Sequence, residues 1–157
     1  MKKVIILIFS MLLFSNIQAQ RQKELAKFIV LEANSNGIDY TDWALEKDNY
    51  LIFFLNEHGE LCFSNVTNGG QSYGSVSNMK HQGIKESYNS YGADFYTFRW
   101  RYINDYDDKK GSAIVELTKI YKQQAVAFEI KMIIENMDIL IYKGYMEGSL
   151  NLDKYLY

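Results

Sequence analysis

The sequence of 157 residues contains no proline and a single cysteine, Cys62. One cysteine excludes an intramolecular disulfide, and with it a small scaffold held together by disulfides. Cys62 stands between Leu61 and Phe63, a setting typical of a buried and unreactive thiol. Because proline is missing, turns must depend on glycine, asparagine and aspartate, and no segment is barred from the interior of a sheet on that account.

The chain also lacks a strong excess of charge of one sign. Its 17 lysines and arginines stand against 19 aspartates and glutamates, and they form no basic run. Nucleic acids and anionic membrane surfaces are bound through clustered positive charge. We therefore expect neither of them as a partner.

Signatures of catalysis and of cofactor binding are missing as well. The sequence has no Gly-x-Ser-x-Gly element, no phosphate-binding loop and no dinucleotide fingerprint. Asp105, Asp107 and Glu116 match three positions of a calcium loop, but lysines occupy positions where that loop needs an oxygen ligand and a glycine. The sequence thus predicts no metal and no cofactor, and it identifies no catalytic residue.

The most specific feature that is present lies at the N-terminus. Lys2 and Lys3 precede an apolar run over 4–14, and a short polar stretch leads to Ala19. This layout is typical of a secretory signal peptide, here residues 1–19, with cleavage after Gln20 as an alternative. We expect one globular domain at 20–157, periplasmic or secreted, with no membrane span after cleavage and no cysteine for a lipid anchor.

Residues 21–36 have apolar side chains at helical spacing. Leu25, Phe28, Ile29 and Ala33 would lie on one broad face. Asparagines and a glycine follow at 34–37, as they do at the end of many helices. The pattern predicts an N-terminal helix.

Strand patterns follow the predicted helix. Residues 50–55 and 60–65 flank a polar loop and predict a hairpin. In 94–103, side chains alternate so that four aromatic residues would face the core, namely Tyr96, Phe98, Trp100 and Tyr102. A turn at residues 107–108 would place Trp100 opposite Val115 and Arg99 opposite Glu116 in the next strand.

A third C-terminal strand is predicted over 126–132. A turn at residues 123–124 would place Glu116 opposite Lys131 and Val115 opposite Met132. A helix competes for 125–137, because apolar residues there also fit helical spacing. We favour the strand, since isoleucine and valine suit a pleated surface.

Together these patterns predict an α+β fold, with an N-terminal helix packed on a curved antiparallel sheet of about six or seven strands. The order of elements resembles the cystatin-like or NTF2-like shape. The resemblance is one of architecture, and it implies no functional residue.

The segment 66–92 carries the candidate binding residues. It is rich in glycine, serine and asparagine around Tyr73, Tyr88 and Tyr91. Binding loops use this mixture, because tyrosine supplies rigid contact and the small polar residues supply adaptable hydrogen bonds. We expect a non-catalytic protein that binds a protein, peptide or glycan ligand, with an envelope inhibitor or immunity protein as one form of it.

The alternative function is a small periplasmic enzyme. Such an enzyme would need a pocket between helix and sheet that holds polar groups with perturbed ionisation. Candidates by residue type are His81, Asp94 and Glu129. A histidine within hydrogen-bond reach of a carboxylate in that pocket would favour this alternative.

Overall fold

The computed structural model describes residues 23–84 and 91–156, and strands dominate both ranges. No helix within them is long and apolar enough to cross a bilayer. The elements in chain order are β1 (Lys23–Ser35), β2 (Ile38–Asp39), α1 (Thr41–Ala44), β3 (Tyr50–Leu55), β4 (Leu61–Thr67), β5 (Gly70–Ile84), β6 (Ala93–Asn104), β7 (Lys110–Tyr121), β8 (Val126–Ile134), β9 (Ile139–Gly148) and a 3₁₀ helix (Asp153–Tyr155).

Eight of the strands form a closed antiparallel barrel. The strands β3 to β9 pair with one another in chain order, β1 pairs with β3, and β9 returns to pair with β1. The short strand β2 pairs only with the end of β1 and lies outside the ring. This order is the simplest for antiparallel strands, because neighbours can be joined by short turns. Closure also removes the free edges that an open sheet would expose.

The predicted α+β fold is wrong, because the predicted helix is a strand. The strand β1, Lys23–Ser35, occupies most of the segment 21–36 for which a helix was predicted. Phe28 and Val30 point into the barrel and are almost completely buried. A bulge between Val30 and Glu32 shifts the alternation by one residue, so that Ala33 is buried too. The interrupted alternation imitates a helical period, which explains the error.

The cystatin-like or NTF2-like shape is wrong for the same reason. The only helices among the described residues are α1, of four residues, and the 3₁₀ helix, of three. The glycine and asparagine signal at 34–37 marks a turn between two strands instead of the end of a helix. Asn36 and Gly37 have φ angles of 51° and 83°, as the central residues of a tight hairpin turn require.

Two predicted hairpins are confirmed. β3 and β4 pair across the loop at 56–59. β7 and β8 pair in the predicted register, with Glu116 opposite Lys131 and Val115 opposite Met132. The ammonium of Lys131 lies 3.2 Å from the carboxylate of Glu116. The segment at 126–134 is therefore a strand, and the helical alternative for it is wrong.

The predicted register between β6 and β7 is wrong by two residues. Trp100 lies opposite Ala113, and Arg99 lies opposite Ile114 instead of Glu116. The connection is longer than the predicted two-residue turn. The N–H of Asn104 donates to the carbonyl of Lys109 at 3.0 Å, which leaves residues 105–108 as the loop. A shift of two residues changes every cross-strand partner but keeps each side chain on its predicted face.

Aromatic side chains fill the barrel. Phe63 lies against Phe53, Phe98 and Trp100, with ring centroids 4.9–5.8 Å apart. The indole N–H of Trp100 donates to the carbonyl of Phe63 at 3.0 Å. Tyr96, Phe98 and Trp100 are each 2% exposed, so the predicted inward face of β6 is confirmed for them. Tilted and edge-on ring pairs of this kind stabilise a core beyond the area that they bury.

The contact between β9 and β1 requires a glycine. A Cβ atom at Gly144 would lie 1.9 Å from the carbonyl oxygen of Ile29, which belongs to the backbone and cannot turn away. We expect Gly144→Ala to lower the free energy of unfolding by about 1–3 kcal/mol or more, because the two strands must move apart. Urea denaturation measures the change.

The matched control is Gly83→Ala in β5, where an added Cβ would meet nothing within 4 Å. We expect it to change stability by no more than about 0.5 kcal/mol. Equal denaturation midpoints for the two variants would contradict the close approach of β1 and β9.

Candidate functional site

One end of the barrel opens into a cavity of about 580 Å³, here called the mouth cavity. It lies at the end where β6 finishes and β7 begins. Its lining combines six aromatic residues, six residues with amide or hydroxyl groups, three aliphatic or thioether side chains and one glycine. They are Tyr40, Trp43, Trp100, Tyr102, Tyr106, Tyr142, Ser35, Asn65, Thr67, Asn68, Ser72, Asn104, Met132, Ile134, Leu140 and Gly70.

The lining of the mouth cavity includes no Asp, Glu, Lys, Arg or His. Six of the barrel strands supply most of it, namely β1, β4, β5, β6, β8 and β9. Inward positions near the ends of these strands carry polar residues, whereas the centre of the barrel carries phenylalanine. Ser72 and Asn104 illustrate this placement on the paired strands β5 and β6. The Ser72 hydroxyl donates to the Asn104 side-chain oxygen at 2.7 Å.

The short helix α1 brings two aromatic rings to the rim. The hydroxyl of Thr41 accepts from the N–H of Ala33 at 2.9 Å and donates to the carbonyl of Ala33 at 3.2 Å, which fixes α1 to β1 at its bulge. Tyr40 and Trp43 then stand with their ring centroids 5.9 Å apart. Trp43 is 56% exposed, so its ring is available at the rim.

The deeper wall is held by hydrogen bonds between lining residues. The hydroxyls of Tyr142 and Thr67 lie 3.2 Å apart, and Thr67 also donates to the Asn65 side-chain oxygen at 2.9 Å. The Asn65 amide N–H donates to the Tyr142 hydroxyl at 3.4 Å. The ring of Tyr40 meets that of Tyr142 edge-on at 6.3 Å. These contacts fix polar groups before any ligand arrives, which favours selective binding.

Two phenol groups of the cavity, those of Tyr40 and Tyr102, are held in the uncharged form. Burial raises the pKa of Tyr40 far above its usual value, and the neighbouring Tyr142 adds to the effect. Burial is also the main cause that raises the pKa of Tyr102. The mouth cavity thus presents neutral hydrogen-bonding groups and aromatic surface at any physiological pH.

This lining is suited to binding rather than to acid–base chemistry. Its serine and threonine hydroxyls have no imidazole or carboxylate beside them in the lining to activate them. Within residues 23–84 and 91–156, no three His, Cys, Asp or Glu side chains are grouped so that they could hold a metal. Cys62 is buried, and that burial, with the charge of Glu60, raises the pKa of its thiol.

A second polar cluster lies at the opposite end of the barrel. The two ring nitrogens of His81 lie 2.9 Å from a carboxylate oxygen of Asp94 and 3.1 Å from one of Asp153. The imidazole stacks on the ring of Tyr96 at 4.5 Å, and the Tyr96 hydroxyl donates to Asp153 at 3.1 Å. His81 therefore joins β5 and β6 to the 3₁₀ helix of the C-terminal segment at 149–156.

Lys119 completes this closed-end cluster. Its side chain is 4% exposed, and its ammonium donates to the carbonyl of Leu150 at 3.1 Å and lies 3.6 Å from Asp94. Leu152, two residues further on, is fully buried in the barrel core. Both nitrogens of His81 and the ammonium of Lys119 are thus engaged in holding the C-terminal segment across this end of the barrel.

Ionisation of the closed-end cluster follows from these contacts. Partial burial alone would raise the pKa of Asp94, but hydrogen bonds from Tyr121 and His81 and the charge of Lys119 outweigh it and lower the pKa. Burial, followed by the hydrogen bond to Asp94, raises the pKa of Tyr121 to about 12. Asp94 is therefore charged and Tyr121 neutral at physiological pH.

The structure separates the tyrosines predicted to bind a ligand. Tyr73 lies in β5 opposite Ile103, on the outer wall, and is 41% exposed. Tyr91, 59% exposed, precedes β6 near the closed end. Ten residues of β6 lie between these points, a separation of roughly 30 Å. Tyr88 lies outside the described residues, and binding through these tyrosines stays a prediction.

The three residues considered for catalysis are divided in the same way. His81 and Asp94 come together in the closed-end cluster, while Glu129 lies on the outer wall 3.4 Å from Lys143. None of the three lines the mouth cavity. The expected pocket between an N-terminal helix and the sheet has no counterpart in the described residues, because that segment is the strand β1.

Sequence reasoning missed the mouth cavity. Its residues come from widely separated segments and include Tyr40, Trp43 and Tyr142, which no local motif connects. A usable signal was the change along β6 from Phe98 to Asn104, where inward positions turn from apolar to polar. Such a change at a strand end indicates a wall that leaves the packed core.

The sequence matches no protein-family model, and neither a curated protein nor a solved structure is significantly similar to the chain.

The charge of Asp94 makes a pH-dependent contribution to stability. We expect Asp94→Asn to lower the free energy of unfolding at pH 7 by about 1.5–3 kcal/mol, because hydrogen bonds to a charged group are lost. A lowered folded-state pKa means that this contribution is complete above the unfolded value of about 3.9 and is lost as pH falls through the folded value. Urea denaturation from about pH 7 down to about pH 2 should show the difference between wild type and variant shrinking below about pH 4.

The matched control is Glu129→Gln, which removes one carboxylate of the exposed pair with Lys143. We expect it to change stability by at most about 1 kcal/mol. A difference between Asp94→Asn and wild type that persists unchanged in acid would show that the charge of Asp94 is not what holds the cluster.

Proposed function

We propose that this protein is a non-catalytic, exported binding protein that takes a small uncharged ligand into the mouth cavity. The observation that carries the proposal is the chemistry of the lining, which is rich in aromatic and neutral hydrogen-bonding groups and has no charged side chain. Its volume of about 580 Å³ is in the range typical of small-molecule sites. Small eight-stranded barrels have room for one such ligand.

The absence of charge from the lining determines what the cavity favours. An ionised ligand would lose its hydration there without gaining a partner of opposite charge, at a high cost in free energy. A neutral ligand with a ring system would instead contact the rings of Tyr40, Trp43 and Tyr106, which keep exposed surface in the lining. Its polar groups would find the side chains of Asn65 and Asn104. The preferred ligand is therefore neutral, partly apolar and able to form a few hydrogen bonds.

Export is the second part of the proposal, and it depends on the signal-like sequence at residues 1–19. The ligand would then be met in the periplasm or outside the cell. An enzyme is the less favoured function. Its strongest candidate, the pair His81 and Asp94, is occupied in holding Asp153 and the C-terminal segment.

A pair of fluorescent probes tests the choice between neutral and charged ligands. N-phenyl-1-naphthylamine and 8-anilinonaphthalene-1-sulfonate share one ring system, and only the second carries a negative charge. We expect the neutral probe to bind at one site and the sulfonate to bind at least about tenfold more weakly, a difference of about 1.4 kcal/mol. Titration followed by probe fluorescence measures both affinities.

A double variant at the rim tests whether the neutral probe binds in the mouth cavity. Trp43 and Tyr106 are 56% and 70% exposed, so Trp43→Ala with Tyr106→Ala should leave the fold intact. We expect the double variant to weaken the neutral probe about tenfold, because two aromatic contacts are lost. It also leaves Trp100 as the only tryptophan, so that energy transfer from Trp100 reports the probe that the double variant still binds.

The control variant is Tyr91→Ala, which removes an aromatic ring of similar exposure near the closed end. It should leave the affinity unchanged. Equal affinity for the two probes, or an equal effect of the rim and control variants, would overturn the proposed site.

A further inference from the structure

We propose that the outer wall of the barrel carries a second binding site, which takes the acidic groups of a carbohydrate chain. The site is a depression of about 580 Å³, here called the outer groove. Three cationic residues, one carboxylate and one exposed aromatic ring line it. The cations are Arg99, Arg101 and Lys110, the carboxylate is that of Glu135, and the exposed ring is that of Tyr73.

The register of β6 and β7 concentrates positive charge in the outer groove. Arg99 and Arg101 are two residues apart in β6 and point outward on the same face, so their Cα atoms are about 7 Å apart. Lys110, at the start of β7, lies opposite Ile103 on the same side. All three side chains are exposed.

Among the described residues, no carboxylate lies within ion-pair distance of these three cations. Glu116, the partner expected for Arg99, lies opposite Thr97 and is paired with Lys131. No ion pair in the two described ranges includes Arg99, Arg101 or Lys110. In a chain whose net charge is −2, this local excess of positive charge is not a consequence of composition.

The one carboxylate in the groove is already engaged. Glu135 accepts a hydrogen bond from the hydroxyl of Ser112, which lies opposite Arg101. Three positive charges against the single charge of Glu135 leave the groove with a net positive charge, and neither guanidinium group is held in an ion pair. Each offers a planar set of donors that fits a carboxylate or sulfate with two parallel hydrogen bonds.

Tyr73 distinguishes this groove from a simple patch of charge. Its ring is 41% exposed, and it lies in β5 next to the strand that carries the two arginines. The flat face of a sugar ring packs well against an aromatic ring, while acidic substituents reach the flanking cations. An aromatic ring beside two spaced guanidinium groups thus fits an acidic sugar better than an isolated anion.

A heparin-derived hexasaccharide with a fluorescent label tests the outer groove, with binding followed by anisotropy. We expect Arg99→Ala with Arg101→Ala to weaken binding about tenfold or more, because two charge-assisted contacts are lost. Both side chains are exposed, so thermal unfolding should match that of the wild type. The control is Lys23→Ala with Lys122→Ala, which removes the same charge at exposed positions away from the groove.

Tyr73→Ala changes no charge and tests the contact with the sugar ring. We expect it to weaken binding of the hexasaccharide severalfold and to leave binding of tripolyphosphate, an anion without any ring, unaffected. If the arginine and lysine variants lose the same affinity for the hexasaccharide, the effect comes from net charge alone and the proposed site is wrong. If Tyr73→Ala changes the affinity for neither anion, the carbohydrate assignment is wrong. Unchanged binding of the hexasaccharide by the arginine variant would overturn both the site and the carbohydrate assignment.

Discussion

The pairing of β1 with β9 is the contact on which the rest of the structure depends. Nine residues of β1, from Ala26 to Ser35, have partners in β9, although a bulge interrupts the register. The backbones approach so closely at Gly144 that no side chain fits there. Without this pairing the sheet would have two free edges, and the inward faces of both strands would lose the enclosed core against which they pack.

Closure gives the two ends of the barrel different chemistry. At one end His81, Lys119 and Asp94 hold the C-terminal segment in place through charge-assisted contacts. At the other end the lining is neutral, and a cavity remains open. The charged groups thus stabilise the closed end, where they have partners, and are absent from the lining of the mouth cavity, where a ligand would lose its hydration. This division supports binding at the mouth rather than at the closed end.

Local patterns predicted those parts of the fold that local contacts determine. The hairpin of β3 and β4 and the register of Glu116 with Lys131 depend on short turns and alternating side chains, and both were predicted correctly. The strand β1 was missed because its two partners, β3 and β9, come later in the sequence and its bulges disturb the alternation. Tertiary pairing overrode a local preference, as it often does for strands.

The candidate sites were harder to predict than the strands. The predicted contact of Arg99 with Glu116 failed because the connection between β6 and β7 is longer than two residues, and that failure is what leaves Arg99 available in the outer groove. Tyr73 is considered with the binding-loop residues in the sequence, yet it lies within the long strand β5. The mouth cavity depends on closure of the ring, which no single segment of the sequence encodes.

Nuclear magnetic resonance of the backbone of β1 tests the closed barrel most directly. The account predicts cross-strand nuclear Overhauser effects between Phe28 and Met146, which are paired in β1 and β9, together with extended-strand chemical shifts over 23–35. A continuous series of sequential amide–amide effects with helical shifts over the same residues, and no contact from Phe28 to Met146, would contradict it.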